Sequence, residues 1–278
     1  MKKILKIAAF VIAILLIVGG FVFANGLFGN PVSKMLATST AEKHLAEKYG
    51  DRDFVIDGVV FNFKFGCYNA YISSPSSVDS SFTLSISQSG KLIQDSYEDR
   101  VESGENTAAR IDLEYRNSVG SVLDKAFPYD TDIGYGEIVF VLREYSGDSS
   151  VQEYAIITED LIIDADYSTK EMGARAGKLT LYVYDDTVSA ERLSEIVLDV
   201  KRIFDGAEVA FYALDCVLEY PKAEDGSKKE GRVEVMDFLY SDIYEEGITE
   251  RVKASNDKAM AYYAEQDAEK RKDEAPGG

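Results

Sequence analysis

FVFANGLFGNPVSK, residues 21–34, stands where an apolar run gives way to ordinary globular sequence. Its reading decides whether the chain is tied to a membrane. Upstream lie Lys2, Lys3 and Lys6, then an apolar stretch from Ile7 to Ala24 interrupted only by Gly19 and Gly20. At 1.5 Å per helical residue this stretch reaches about 27 Å, close to the apolar thickness of a bilayer. Secretory signals usually have a shorter apolar region followed by small residues at the cleavage site. The length favours a retained anchor over residues 1–28. Val22 and Ala24 satisfy the small-residue requirement loosely, so cleavage after Ala24 is the alternative. No cysteine follows the run, which excludes a lipid on a processed N-terminal Cys. The three lysines precede the span, and no charge occurs between Ile7 and Ser33. This bias places the N-terminus in the cytoplasm and everything after about residue 28 outside. Asn30-Pro31 supplies a cap and a first-turn proline, so a new helix starts at the membrane surface.

The remaining residues, about 250, suffice for one large or two small domains with real cores. The chain holds 30 basic and 49 acidic residues; without the three N-terminal lysines the balance is 27 against 49, or −22. Such a surface repels phosphate backbones and anionic headgroups, so nucleic acid is a poor partner. Cationic partners would be attracted, although charge that simply maintains solubility is the commoner explanation. Cys67 and Cys216 are the two cysteines. Cys216 falls within an alternation of Tyr212, Leu214, Leu218 and Tyr220, where a thiol packs as a small hydrophobe. Two free thiols are expected.

Downstream, a helix is expected from Pro31 to Tyr49. Strands follow at Phe54–Phe65, Tyr68–Ser74, Ser81–Ser87 and Lys91–Gln94, from β-branched and aromatic residues between Gly, Pro and Ser clusters. Ala108, Ile111, Tyr115, Val119, Val122 and Ala126 then recur at helical spacing. This stripe is expected to cover the sheet just formed, giving an α-β-β-β-β-α domain over residues 29–128. A second α+β domain, residues 129–250, is expected to hold strands at Ile138–Leu142, Tyr154–Ile157, Leu161–Ala165 and Leu179–Tyr184, and a helix at Val188–Phe204. Two long antiparallel strands, Val209–Tyr220 and Arg232–Tyr240, complete it. A last helix is expected to begin near Ser241 and run into a charged, solvated tail over residues 251–278. The fold class is therefore α+β, an apolar N-terminal helix followed by two small domains with mostly antiparallel sheets.

Four segments carry a resemblance: FNFKFGCYNAYISSPSSVDSSF (61–82), DSYEDRV (95–101), NTAARIDLEY (106–115) and SDIYEEGITERV (241–252). They resemble the YfjL-like proteins of Gram-positive bacteria, and the similarity covers nearly the whole chain. The resemblance implies single-pass membrane proteins with two exterior α+β domains; it carries over no catalytic, cofactor-binding or metal-binding residue.

Chemistry-bearing residues are few. His44 is the single histidine; a helical wheel groups it with Ala37 and Lys48, away from Val32, Met35, Leu36 and Tyr49, and hence towards solvent. No G-x-S-x-G elbow nominates a serine to act with it. Ser255–Lys258 matches S-x-x-K without its companion motifs, a chance match. One His and two distant Cys exclude a zinc site of the His/Cys type. Asp130, Asp132 and Glu137, and separately Asp164, Asp166, Ser168 and Glu171, could be read as calcium loops, but neither has the EF-hand register. GYGEIV fails the Gly-rich phosphate pattern. These absences favour a tethered, non-catalytic module that binds another envelope protein or a peptide, with no cofactor. The alternative is a carboxylate-dependent envelope hydrolase using residues such as Asp164 and Asp166.

Overall fold

The computed structural model describes residues 2–222, 227 and 229–273. The chain forms two compact units: one runs to Thr107 and takes in Leu161–Asp164, the other comprises Ala108–Asp160 and the chain from Ala165 on.

The first unit opens with α1 (Lys2–Phe28) and α2 (Pro31–Lys48). α1 is apolar throughout its middle, where the described side chains are exposed, Phe10, Leu16 and Phe23 by more than 60%. At the joint, Asn30 caps α2 by accepting from the Ser33 N–H at 2.8 Å. The Tyr68 hydroxyl accepts from Asn30 N–H and donates to Asn30 C=O, each at 2.8 Å. Gly29 has φ +67°, and a Cβ there would fall 2.3 Å from that hydroxyl, so both backbone and space demand glycine.

β1 (Val55–Asn62), β2 (Cys67–Ser74), β3 (Ser77–Ser87) and β4 (Leu92–Asp95) form an antiparallel sheet in that order. α2 covers one face. It buries Ser33, Ala37, Ala41 and Leu45, and the last three join a core with Val59, Tyr68, Ala70, Leu84 and Ile86. Of the residues the wheel set apart from His44, only Tyr49 joins the core; Val32, Met35 and Leu36 are 64%, 70% and 44% exposed. Small side chains let the helix backbone approach the sheet closely, and that contact outweighs burial of the larger ones. At the far end Tyr49, Phe54, Phe82 and Tyr97 form a ring cluster with centroids 4.8–5.9 Å apart.

The second unit is built on a sheet of order β10-β9-β8-β5, comprising β5 (Asp130–Ile138), β8 (Gly177–Tyr184), β9 (Ala213–Glu219) and β10 (Arg232–Leu239). β8 and β9 are parallel and the other pairs antiparallel. A short parallel pair, β6 (Phe140–Val141) and β7 (Ile156–Ile157), stands apart. Leu179, Leu181 and Val183 stand opposite Leu214, Cys216 and Leu218 in the parallel register, all fully buried. α5 (Ala190–Gly206) buries Leu193, Ile196, Val197, Val200 and Phe204. α6 (Ile248–Asp273) packs along β10 and α5.

Several expectations are corrected. α3 (Glu105–Ala126) keeps its predicted stripe, with Ile111, Tyr115 and Val119 fully buried, but it does not close the first sheet. From Ala108 on it belongs to the second unit, where a Cβ on Gly136 of β5 would lie 2.5 Å from Val119 and 3.0 Å from Tyr115. Along the chain the compact units divide at 107/108. Leu161–Ala165 is a turn, since Asp164 adopts φ +61°. A short helix, α4 (Thr169–Ala176), capped by Ser168, precedes β8. Tyr240–Asp242 makes one tight turn, and the last helix starts at Ile248. Residues 223–226 and 228 of the expected 222–231 loop and the tail after Asp273 lie outside the described residues.

Cys67 lies on β2 and Cys216 on β9; both are free and buried. Burial, with the nearby Asp215 charge, pushes the Cys216 thiol up to about 12, so thiolate is scarce near neutrality. Alkylation of the folded protein should spare Cys216, and a second label added after denaturation should find it. Loss of both labels that a reductant restores would instead establish a bridge.

Candidate functional site

The first residue of β8 follows α4 directly, and its alternation turns Lys178, Thr180 and Tyr182 away from the leucine-rich face. The parallel register sets Thr180 opposite Asp215, which places Asp215 on the same face. On β10 the register shifts between Val235 and Phe238, and within this bulge Asp237 takes φ +45°. Bulges re-aim side chains. Lys178 Nζ lies 2.9 Å from Asp215 Oδ2 and 2.8 Å from Asp237 Oδ1. Asp237 N–H donates to Asp215 Oδ1 at 2.7 Å. The Tyr154 hydroxyl donates to Asp237 Oδ1 at 2.9 Å, its ring packed on Tyr212 at 4.6 Å between centroids.

Burial works against the Lys178 charge, but the hydrogen bonds it donates to Asp237 and Asp215 outweigh it, so its ammonium is held above the ordinary range. A lysine so held is a poor amine nucleophile. Burial raises Asp215, opposed by the Asp237 N–H and Lys178. Burial, followed by the Asp237 charge, raises Tyr154, which stays protonated as a donor. Two carboxylates against one ammonium leave one negative charge in excess. Asp237 presents it, with a side chain 47% exposed against 11% for Lys178 and Asp215.

Asp237 also borders a groove of about 250 Å³ lined by Met236, Ser255, Lys258, Ala259, Tyr262 and Tyr263. α6 forms its far wall and closes the edge of the sheet. Ser255 Oγ accepts from Met236 N–H at 3.4 Å, and Asn256 Oδ1 from Glu234 N–H at 3.0 Å. These are outward donors of an edge strand, which would otherwise be open to pairing. Ser255 of the S-x-x-K match thus covers a strand edge.

The other residues singled out by sequence are placed elsewhere. His44 is partly buried: its Nε2 lies 2.8 Å from Asp95 Oδ2, which also accepts from Lys48 and Tyr49 at 3.0 and 2.8 Å. Burial opposes the Asp95 charge, yet these bonds and the Tyr97 N–H hold its carboxyl below the usual range. Asp130, Asp132 and Glu137 are strung along β5, with Asp132 accepting from the Tyr184 hydroxyl at 2.7 Å. Asp164 Oδ1 accepts from Ser77 Oγ and Asp79 N–H at 2.9 and 3.1 Å, while its own N–H donates to Asp79 Oδ2 at 2.9 Å. Asp164 belongs to the first unit and Asp166 to the second. Ser168 accepts from the Glu171 N–H as the cap of α4. Among the described residues no group of three or more His, Cys, Asp or Glu side chains is arranged to hold a metal ion. The Lys178 cluster escaped sequence reading, although charged residues inside GKLTLYVY and ALDCVLE were its available signal.

Fold and cluster define a class: a two-unit α+β protein carried behind an apolar N-terminal helix. The chain belongs to the YfjL-like family, whose N-terminal domain model matches residues 1–98 and whose C-terminal domain model matches residues 114–253. No curated protein matches the chain. Among solved structures it is similar to a DUF5037 family protein from Ruminococcus gnavus ATCC 29149, at 15% identity over 78% of this chain and 98% of that one, with a TM-score of 0.22.

Replacing Lys178 by Met would leave two neighbouring carboxylates without their counter-charge. Breaking a buried pair in this way costs about 3–5 kcal/mol, and urea unfolding near pH 7 should register a loss of that order. Asp215 is already raised by burial, and without the ammonium it rises further, so the folded state takes up a proton more readily than the unfolded chain. Stability of K178M relative to the parent should therefore recover as pH falls. A deficit that does not change with pH would remove the cluster's electrostatic role.

Proposed function

We propose that this is a single-pass membrane protein, N-terminus in the cytoplasm and both units on the outer side. We infer further that the outer part is a non-catalytic module that binds a basic segment of another envelope protein or peptide. The tether reading is supported by the apolar 27-residue α1 and by the lysines confined to its N-terminal side.

One observation carries the binding reading: the exposed Asp237 carboxylate, holding the excess charge of its cluster, at the rim of a groove walled by Met236, Ala259 and Tyr262 and lined also by Lys258. A lysine or arginine side chain has the complementary form, an apolar stem with a cationic head. The balance of 27 basic against 49 acidic residues beyond the three N-terminal lysines, or −22, draws such a partner inward. A non-catalytic role fits the cluster's pKa pattern, because Lys178 and Tyr154 are both driven away from neutrality, where acid–base catalysts work best. The reading requires no cofactor or metal.

A reporter active only outside the cytoplasm, fused after Gly278, should be active, and the mature protein should keep its N-terminal segment by mass. Activity of a cytoplasmic reporter at that position, or a product beginning at Asn25, would overturn the tether. For the groove, a photo-crosslinking side chain at position 262 should give a discrete adduct in intact cells that the further change Asp237→Asn abolishes. An adduct indifferent to D237N, or none, would refute the binding reading.

A further inference from the structure

The loop between β1 and β2, Phe63-Lys64-Phe65-Gly66, exposes Phe63 and Phe65 by 65% and 77%. A hairpin turn facing water is ordinarily polar, as is the Pro75-Ser76 turn at the opposite end of β2. The Phe-Lys-Phe tip therefore needs an explanation from its surroundings, and within the first unit those surroundings are well defined.

α2 leads away from the end of α1, and β1 returns. Phe54, just before β1, packs on Tyr49 at the far end of α2, whereas Phe61, near the end of β1, packs on Tyr68, whose hydroxyl clamps Asn30 at the α1–α2 joint. The last paired residues are Asn62 and Cys67, so the loop extends past the joint on the α1 side. Gln88 fixes its level. The Gln88 Oε1 accepts from Asn25 Nδ2 of the last turn of α1, while its Nε2 donates to Gly66 C=O, both at 3.4 Å. A single side-chain amide thus links the tip to the residue that ends the apolar run Ile7–Ala24.

From this geometry we propose that the β1–β2 loop is a second membrane contact, with Phe63 and Phe65 resting in the lipid interface beside the exit of α1. The proposal rests on the reading of α1 as a membrane span. Burying two phenyl rings there removes apolar surface from water, and Lys64 between them can extend its stem along lipid and keep its ammonium at the phosphates. The two attachments hold the first unit by two points on the bilayer.

The chain contains no tryptophan, so each introduced indole reports alone. The full chain would be reconstituted in phosphatidylcholine vesicles with or without bromine on the acyl chains, as F65W, L15W or V78W; F63W repeats the test should F65W fold poorly. Val78 is 77% exposed and lies at the other end of β3, roughly 30 Å away at about 3.3 Å per strand residue. F65W should show blue-shifted emission that brominated lipid quenches, L15W should be quenched, and V78W should be unaffected. Quenching of L15W alone, with F65W emitting like V78W, would overturn the loop contact and leave the span standing. An unquenched L15W would overturn both.

Discussion

How near a helix backbone can come to its sheet is the constraint on which both units depend. In the first, Ser33, Ala37 and Ala41 present almost no side chain, and α2 settles onto Val59, Ala70 and Leu84. In the second, the fully buried Tyr115 of α3 fills the space left by Gly136, Gly173 and Gly177, and its hydroxyl donates to Ala210 C=O at 2.9 Å. A methyl group on Gly173 would meet that same carbonyl oxygen at 2.3 Å. Interiors packed to crystal-like density have no slack to absorb such a change.

This constraint also explains which parts of the fold were legible. Alternation located the strands of the first sheet and the pair β9 and β10 to within a few residues, because β-branched and aromatic side chains mark a half-buried pleated surface. Periodicity found α3 but could not name its partner, since an apolar stripe records that a face is buried and says nothing of what buries it. For α2 it placed Tyr49 correctly but missed the seam of Ser33, Ala37 and Ala41, whose small side chains carry little hydrophobic signal. β5 was hidden for a related reason: Gly134 and Gly136 make DTDIGYGE look like a turn, whereas they give room for Leu123 and Val119. The Lys178 cluster draws on β8, β9, a bulge in β10 and the segment before β7, and no spacing rule joins those positions.

Several acidic residues serve as joints of the fold. Asp95 gathers His44, Lys48 and Tyr49 onto one oxygen and ties α2 to β4. Asp79 and Asp164 exchange carboxylate-to-backbone bonds across 85 residues of chain. An ionised carboxylate that accepts several donors is strongly stabilised and fixed in place, which makes it a good joint and a poor proton carrier. Within the Lys178 cluster the excess negative charge lies at Asp237, the more exposed of its two carboxylates.

The exchange between Asp79 and Asp164 bears on how the protein is made. The first unit is not a continuous piece of chain: Leu161–Asp164 belongs to it, while Ala108–Asp160 belongs to the second. Ribosomes add roughly 5–20 residues per second, so the first sheet is synthesised several seconds before the segment that completes its unit. During that interval the N–H of Asp79 lacks its native acceptor. The two units, although each has its own core, therefore cannot mature strictly one after the other, and a nascent chain halted between them would hold an unfinished first unit.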